Sequence, residues 1–124
     1  MRLVEEKEAA GSIKKIFEEV KRTLQLPFVP KIFRALAAAP DRLEAVWGEL
    51  REQVGSGHLD LRSKGVAAFA VSEAMESAYF SPIYASALKR LGVRDEELEE
   101  IRRLAALLKQ LNRTAADWKL EPEL

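Results

Sequence analysis

The amino-acid sequence predicts an all-α domain. Five segments repeat apolar residues at the i, i+3, i+4 and i+7 spacing of a helix, and no segment alternates with period two for long enough to propose a sheet. The chain has 124 residues, of which 48% are hydrophobic and 32% charged, a balance that suits one buried core beneath a solvated surface. We therefore expect a single domain over residues 1–124, with residues 1–10 and 120–124 frayed.

The N-terminal half predicts three helices. Ser12 is a suitable cap for the first, whose apolar residues form one stripe, namely Ile13, Ile16, Phe17, Val20 and Leu24. The connector "LPFVP" ends this helix before Pro27, because each proline fixes its own φ and keeps the preceding residue out of the α region. A short helix, "KIFRALAAA", follows. Pro40 then suits the first turn of a third helix, which should end at the Gly-Ser-Gly turn of residues 55–57.

The C-terminal half predicts a central helix and two further helices. The run "GVAAFAV" is apolar on every side, which is typical of a helix surrounded by others, and we place that helix over residues 61–79. Ser81 and Pro82 predict the capped start of the next helix, and Gly92 predicts its left-handed end.

The last helix should start near Asp95, whose acidic neighbours favour the positive end of the helix dipole. Its inward face is predicted to contain Ile101, Leu104, Ala105, Leu108 and Leu111. Asn112 or Thr114 then caps a final short turn that bears Trp118.

Composition excludes several functions. Twenty basic residues balance twenty acidic ones without forming a basic stripe, so we expect no nucleic-acid partner. No window approaches the roughly 18 apolar residues of a membrane span, and the N-terminus lacks a signal-peptide core, so we expect a cytoplasmic protein without a membrane contact. The chain has no cysteine and one histidine, His58, which argues against thiol chemistry, iron–sulfur clusters and transition-metal sites. We expect neither a metal nor a cofactor.

Glu73 is the candidate catalytic residue. On a helical wheel it lies among apolar side chains and one turn from Ser77, while Ser81 and Tyr84 follow on the next segment. These four residues predict a polar cluster that lines a pocket, with Ser77, Ser81 and Tyr84 as ligand-binding candidates. A carboxyl group buried among apolar residues suits a general acid or base near neutral pH. The structural alternative is a carboxylate satisfied by Arg62, by Ser77 or by a neighbouring subunit.

The span from about residue 60 to 103 resembles the AhpD-like family, which includes alkylhydroperoxidase D and the carboxymuconolactone decarboxylases. The resemblance rests on the order "LRSKGVAAFAVSEAMESAYF", "ALKRLGV" and "RDEELEEI". It implies an AhpD-like helical bundle of about six helices.

In the peroxidase members, the family pattern implies a glutamate, a Cys-x-x-Cys pair and a histidine that form a proton relay. Those positions fall here on Gly65, Ser77, Phe80 and Tyr84. All four depart from the pattern. The resemblance therefore supports the fold and argues against thiol peroxidase activity.

The N-terminal span "IFEEVKRTLQLPFVPKIFRALAAAPDRLEAVW" resembles a second group, the DehI-type haloacid dehalogenases. That resemblance implies two such units fused in one chain, in which a carboxylate activates the water that displaces halide from a 2-haloacid. This chain has one unit, so a homodimer would rebuild the fused arrangement with two-fold symmetry. No catalytic residue of that group maps onto a particular position here.

Three functions follow as expectations. The first is an AhpD-like protein without thiol peroxidase activity that binds a small carboxylate or apolar ligand. The second is a 2-haloacid dehalogenase-like hydrolase assembled across a homodimer. The third is a structural or partner-binding oligomer. All three include a homo-oligomer, with a dimer favoured, because a helix that is apolar on every side leaves surface for another subunit to cover.

Overall fold

The computed structural model describes residues 1–124 as six α-helices without a strand. The helices are α1 (Gly11–Leu24), α2 (Lys31–Leu36), α3 (Pro40–Gly55), α4 (Leu61–Ala74), α5 (Phe80–Arg90) and α6 (Asp95–Asp117), and a single 3₁₀ turn at Glu6–Glu8 precedes them. The prediction of an all-α bundle of about six helices is confirmed. None of the helices combines the length and the apolar character that crossing a membrane requires.

Contacts divide the chain into two compact units, Met1–Leu61 and Arg62–Leu124, and each is described by itself. The single domain over residues 1–124 stays a prediction.

The first unit is built by α1, α2 and α3. The predicted stripe of α1 is confirmed, because Phe17 and Val20 are buried and the other three residues of the stripe pack against the same core. The ring of Phe33 meets that of Trp47 edge to face, with centroids 5.8 Å apart, which is a favoured geometry for aromatic pairs. Leu43 of α3 belongs to the same core and is fully buried.

The N-terminal residues are anchored, in contrast to the fraying expected for residues 1–10. Val4 is buried, and its N–H donates to the carbonyl of Arg34 at 3.0 Å. The carboxylate of Glu6 accepts the N–H of Val29 at 3.0 Å and forms an ion pair with Lys21 at 3.0 Å. These bonds join residues distant in sequence, so helical periodicity does not reveal them. Residues 120–124 follow the last helix as exposed, irregular chain.

Glu19 links α1 to α3 at the edge of the first unit's core, with its side chain 14% exposed. The indole N–H of Trp47 donates to Glu19 Oε1 at 3.1 Å, and Arg51 Nη1 lies 3.0 Å from the same oxygen. The Trp47 hydrogen bond, followed by the Arg51 contact, holds the pKa of Glu19 below its usual value of 4.5. The ionised carboxylate therefore stabilises the folded state.

Two predicted caps in the helices differ from the structure. α1 begins at Gly11, so Ser12 lies inside its first turn and forms no cap. α6 continues through Asn112 and Thr114 to Asp117 without a break. Thr114 Oγ1 donates to the carbonyl of Gln110 at 3.1 Å, a local bond that is compatible with a continuous helix.

The second unit is built by α4, α5 and α6 around a smaller core. The core contains Phe69, Ala85, Leu88, Val93 and Leu98. Gly92 adopts φ +90°, and the Val93 N–H donates to the Leu88 carbonyl at 3.0 Å. This is a Schellman end with its hydrophobic contact, so the predicted left-handed cap at Gly92 is confirmed. The start of α6 at Asp95 is confirmed as well.

The prediction that α4 is surrounded on all sides is wrong. Only Phe69 and Ser72 are buried, whereas Val71 is 57% exposed and Met75, just after the helix, is 76% exposed. The helix also ends at Ala74 and not at residue 79. A small unit has too little surface to cover every side of one helix.

The inward face predicted for α6 is correct only in part. Leu98 and Ala105 are buried and Ile101 is partly buried. Three predicted core residues are instead about half exposed, namely Leu104, Leu108 and Leu111. The buried stripe of α6 is therefore narrower than its apolar surface.

Ser77 joins α4 to α5. Its N–H donates to the Ser72 carbonyl at 2.8 Å and closes the end of α4, with Glu76 in the left-handed region at φ +54°. Its Oγ accepts the Phe80 N–H at 3.0 Å, and its carbonyl accepts the Ser81 N–H at 3.1 Å. These two bonds are those of an N-cap residue. Ser77 therefore caps the turn of residues 78–80 that leads into α5, and the prediction that Ser81 is the cap is wrong.

Ser81 is the second residue of α5 and lies one turn after Ser77. Its Oγ is buried and forms no hydrogen bond. A buried hydroxyl without a partner is destabilising, because it loses its bonds to water and gains none.

Substitution of the two serines should have opposite effects. Ser77→Ala removes the cap and should lower the free energy of unfolding by about 1 kcal/mol. Ser81→Ala removes the unpaired hydroxyl and adds a better helix former, so the free energy of unfolding should stay equal or rise by up to about 1 kcal/mol. Urea unfolding followed by circular dichroism measures both. Equal destabilisation by the two changes would contradict the assignment of the cap to Ser77.

Replacing Glu19 should make stability depend on pH in a defined way. Glu19→Gln removes the charge that Trp47 and Arg51 stabilise, so it should lower the free energy of unfolding by about 1 kcal/mol at pH 7. Because the pKa is lowered in the folded state, this difference should be complete above about pH 4.5 and shrink as the pH falls below it. Urea unfolding at several pH values tests this. Glu18→Gln is the matched control, since Glu18 is exposed, and a similar loss in that variant would contradict the account.

Candidate functional site

An open pocket of about 680 Å³ lies beside the end of α4 and the start of α5. We call it the Tyr84 pocket. Its walls are mostly apolar, and the residues that line it are Ala67, Ala68, Val71, Ser72, Met75, Ser77, Phe80 and Tyr84. The α4 residues of this wall belong to the helix that the sequence predicted to be covered on every side. The sequence therefore did not predict that they line a pocket.

Aromatic rings form the α5 side of the pocket. The rings of Phe80 and Tyr84 stack with centroids 5.8 Å apart and planes 19° from parallel. The rings of Tyr79 and Phe80 meet edge to face, with centroids 5.0 Å apart. Burial raises the pKa of the Tyr84 phenol above its usual value of 10.0. Tyr84 is therefore a neutral hydrogen-bond donor over the whole physiological pH range.

The three hydroxyl groups of the pocket are not equivalent. Ser72 Oγ donates its proton to the Ala68 carbonyl at 2.8 Å. Ser77 Oγ accepts the Phe80 N–H, and this bond leaves its own proton free to donate. Ser77 and Tyr84 are thus the two donors with which the pocket can meet an acceptor atom. No charged side chain lines it.

Glu73 does not line the Tyr84 pocket. Arg102 Nε lies 3.0 Å from Glu73 Oε1, and the Arg102 guanidinium sits 5.3 Å from the centre of the buried Phe69 ring. The Glu73 side chain is 21% exposed. Neither of the partners within the chain proposed from the sequence is used, because Arg62 pairs with Glu97 at 3.6 Å and Ser77 bonds to Phe80. The ion pair joins α4 to α6.

Glu73 belongs to a separate groove of about 430 Å³ along α6. Glu76 and Lys109 form an ion pair at 3.0 Å there, and Arg113 is a second cation in its wall. The single polar cluster expected from the sequence is therefore divided. Ser77 and Tyr84 share one pocket, Glu73 lines another, and Ser81 lines neither.

Gly65 has no room for a side chain. A Cβ built at this position would lie 2.7 Å from Leu88 Cδ2, and Leu88 is fully buried. The position at which the AhpD-like pattern implies a glutamate is thus closed by a core leucine. No three histidine, aspartate or glutamate side chains lie close enough together to hold a metal ion.

Comparisons with known proteins agree on the fold. The crystal structure of the alkylhydroperoxidase AhpD core from Rhodospirillum rubrum is similar to this chain with a TM-score of 0.85 and 25% identity, and the match covers 99% of this chain and 93% of that one. An (R)-2-haloacid dehalogenase from Pseudomonas putida is 33% identical over 82 residues. That match covers 62% of this chain but only 26% of the dehalogenase, so the chain spans about a quarter of that relative's length.

The sequence profile of one family matches residues 37–118, which is well over half of the chain. Together with the AhpD-like fold, this match confirms the first resemblance, while the second rests on one partial relative. The chain belongs to the carboxymuconolactone decarboxylase family.

Proposed function

We propose that this protein is a cytoplasmic, thiol-independent member of its family that binds a small, uncharged, mostly apolar ligand in the Tyr84 pocket. The ligand carries a hydrogen-bond acceptor, such as a carbonyl oxygen, that faces Ser77 and Tyr84.

The observation that carries this proposal is the shared location of three residues. Ser77, Phe80 and Tyr84 occupy the positions at which the AhpD-like pattern implies the two cysteines and the histidine, and all three line one pocket. The resemblance thus implies that the pocket lies where the peroxidase members have their proton relay, and here it contains hydroxyl and aromatic groups. The chain has no cysteine and thus no thiolate to attack a peroxide.

The charge of the pocket favours a neutral ligand over a carboxylate. An anion loses its hydration when it binds between apolar walls, and it needs a cation to compensate. The Tyr84 pocket supplies only neutral donors, because burial keeps the Tyr84 phenol protonated. Lysine and arginine are found in the Glu73 groove instead.

Acetophenone and benzoate distinguish the two ligand classes, because they share a ring and differ in charge. Acetophenone should shift the amide resonances of Ser77, Phe80 and Tyr84 in NMR titrations. Benzoate should bind at the same residues with an affinity at least about tenfold lower. Tyr84→Phe should weaken acetophenone binding about three- to tenfold, the usual effect of one neutral hydrogen bond.

Tyr79→Phe is the matched control, because it removes a phenol hydroxyl from a residue that contacts Phe80 but does not line the pocket. This variant should bind acetophenone like the wild type. Benzoate binding at the same amides with equal affinity, or acetophenone binding that Tyr84→Phe leaves unchanged, would contradict the proposal.

A hydrolase is the second candidate, and the Pseudomonas putida relative supports it. It requires a carboxylate that activates water, and Glu73 is the candidate because it lines an open groove. The Arg102 contact occupies one of its oxygens and favours the structural role of an ion pair between helices.

Chloride release from (R)-2-chloropropanoate separates the two functions. Our proposal expects none from the wild type. If the wild type releases chloride and the folded Glu73→Gln variant does not, the hydrolase is established instead. If Glu73 is structural, Glu73→Gln lowers the midpoint of thermal unfolding, and Glu99→Gln, which alters the longer Arg102 contact at 3.5 Å, has a smaller effect.

A further inference from the structure

The Glu73 groove along α6 carries its positive charge on two neighbouring residues. Lys109 and Arg113 both line the groove, and at 100° per residue they lie about 40° apart on the helix and one turn apart along it. The Glu73 carboxylate is already paired with Arg102 at 3.0 Å. The two cations therefore share one remaining carboxylate of the groove, that of Glu76.

Glu76 is an easily displaced partner for these cations. Its side chain is 79% exposed, whereas that of Lys109, which it contacts at 3.0 Å, is only 29% exposed. Lys109, followed by Arg113 at longer range, holds the pKa of Glu76 below its usual value of 4.5. The groove thus stabilises a carboxylate at this point. The bond to an exposed partner contributes little to stability, so a second carboxylate can take the place of Glu76.

An apolar surface lies next to the two cations. Leu107 is 52% exposed and lines the groove together with Ala106. Gln110 lies in the same wall, and its side-chain amide is a further donor for an anion. The opposite end of the groove is formed by the carboxylate of Glu73, which disfavours a second negative group on the ligand. The groove therefore favours one carboxylate attached to a short hydrocarbon body.

We propose that the Glu73 groove is a binding site for a small monocarboxylate with an apolar body, whose carboxylate replaces Glu76 on Lys109 and also contacts Arg113. The hydrocarbon body covers Leu107. This site is separate from the Tyr84 pocket, which favours a neutral ligand, and it does not require that Glu73 act on the bound molecule.

The openness of the groove sets the strength of binding. Hydrogen bonds from a guanidinium or an ammonium group to a carboxylate are stronger than those between neutral groups. Salt and water weaken them at an accessible site, and the ligand must also displace Glu76. We therefore expect a dissociation constant of about 1 mM, which decreases in affinity as sodium chloride is added.

NMR titrations with hexanoate, acetate and 1-hexanol test both parts of the ligand. Hexanoate should shift the amide resonances of four residues in the groove wall, namely Ala106, Lys109, Gln110 and Arg113. 1-Hexanol has the same chain without the charge and should leave them unshifted at equal concentration. Acetate has the charge without the chain and should bind about tenfold more weakly, because partly buried methylene groups each add to the affinity.

Substitutions in the groove should have opposite effects. Lys109→Gln and Arg113→Gln should each weaken hexanoate binding about fivefold or more, because each removes a cation that contacts the carboxylate. Glu76→Gln should instead strengthen binding about two- to fivefold, because it removes the competing carboxylate. A merely structural ion pair between Glu76 and Lys109 does not predict this gain.

Arg103→Gln and Glu96→Gln are the matched controls for the loss of a cation and of a carboxylate. Both residues are exposed, and neither lines the Glu73 groove. Each variant should bind hexanoate like the wild type. The absence of shifts at about ten times the expected dissociation constant, equal binding of 1-hexanol, or a Glu76→Gln variant that binds hexanoate no better than the wild type would each overturn the proposal.

Discussion

Ser77 makes three hydrogen bonds to the backbone, and the geometry of the Tyr84 pocket depends on them. The N–H ends α4 on the Ser72 carbonyl, and the Oγ and carbonyl begin the next helix on Phe80 and Ser81. Because the same residue ends α4 and begins the turn into α5, the angle between these two helices is closely fixed. Phe80 and Tyr84 are therefore held beside the wall of α4 by local bonds, without a large core beneath them.

The same junction places the residues that correspond to the family's Cys-x-x-Cys pair and histidine beside one pocket. The cap needs an acceptor atom at residue 77, which a serine oxygen provides well. Phe80 and Tyr84 stack on each other and supply a hydrophobic surface and one neutral donor. Leu88 meanwhile closes the space at Gly65. Each of the four positions has a structural partner, and none of them carries a thiol.

Local signals in the sequence predicted the helices and several of their ends correctly. The stripe of α1 and the left-handed glycine at residue 92 depend on neighbours within one or two turns, which the sequence displays directly. The cap of α5 was assigned to Ser81 because a following proline is typical of a first helical turn. Ser77 carries the same side chain four residues earlier, and only the backbone bonds distinguish the two.

Properties that depend on distant neighbours were not predicted. Periodicity shows that Val71 and Leu104 are apolar, but it does not show whether another element covers them, and both are exposed. Glu73 was expected near Ser77 and Tyr84 because they are close in sequence. Arg102, which is 29 residues away, holds the carboxylate on the α6 side instead. The grouping of the candidate residues in space therefore could not be predicted from their spacing in the sequence.

We infer that the junction at Ser77 holds residues 77 and 80 close enough together for a Cys-x-x-Cys pair. The most direct test places cysteines at both positions, as Ser77→Cys with Phe80→Cys, and counts free thiols and molecular mass after mild oxidation. The account predicts an intramolecular disulfide, because residues three apart in a helical first turn are within the Cα separation of about 4.4–6.8 Å that a disulfide spans. Thiols that stay reduced, or that cross-link only between molecules, in a variant with the helical content of the wild type would contradict it.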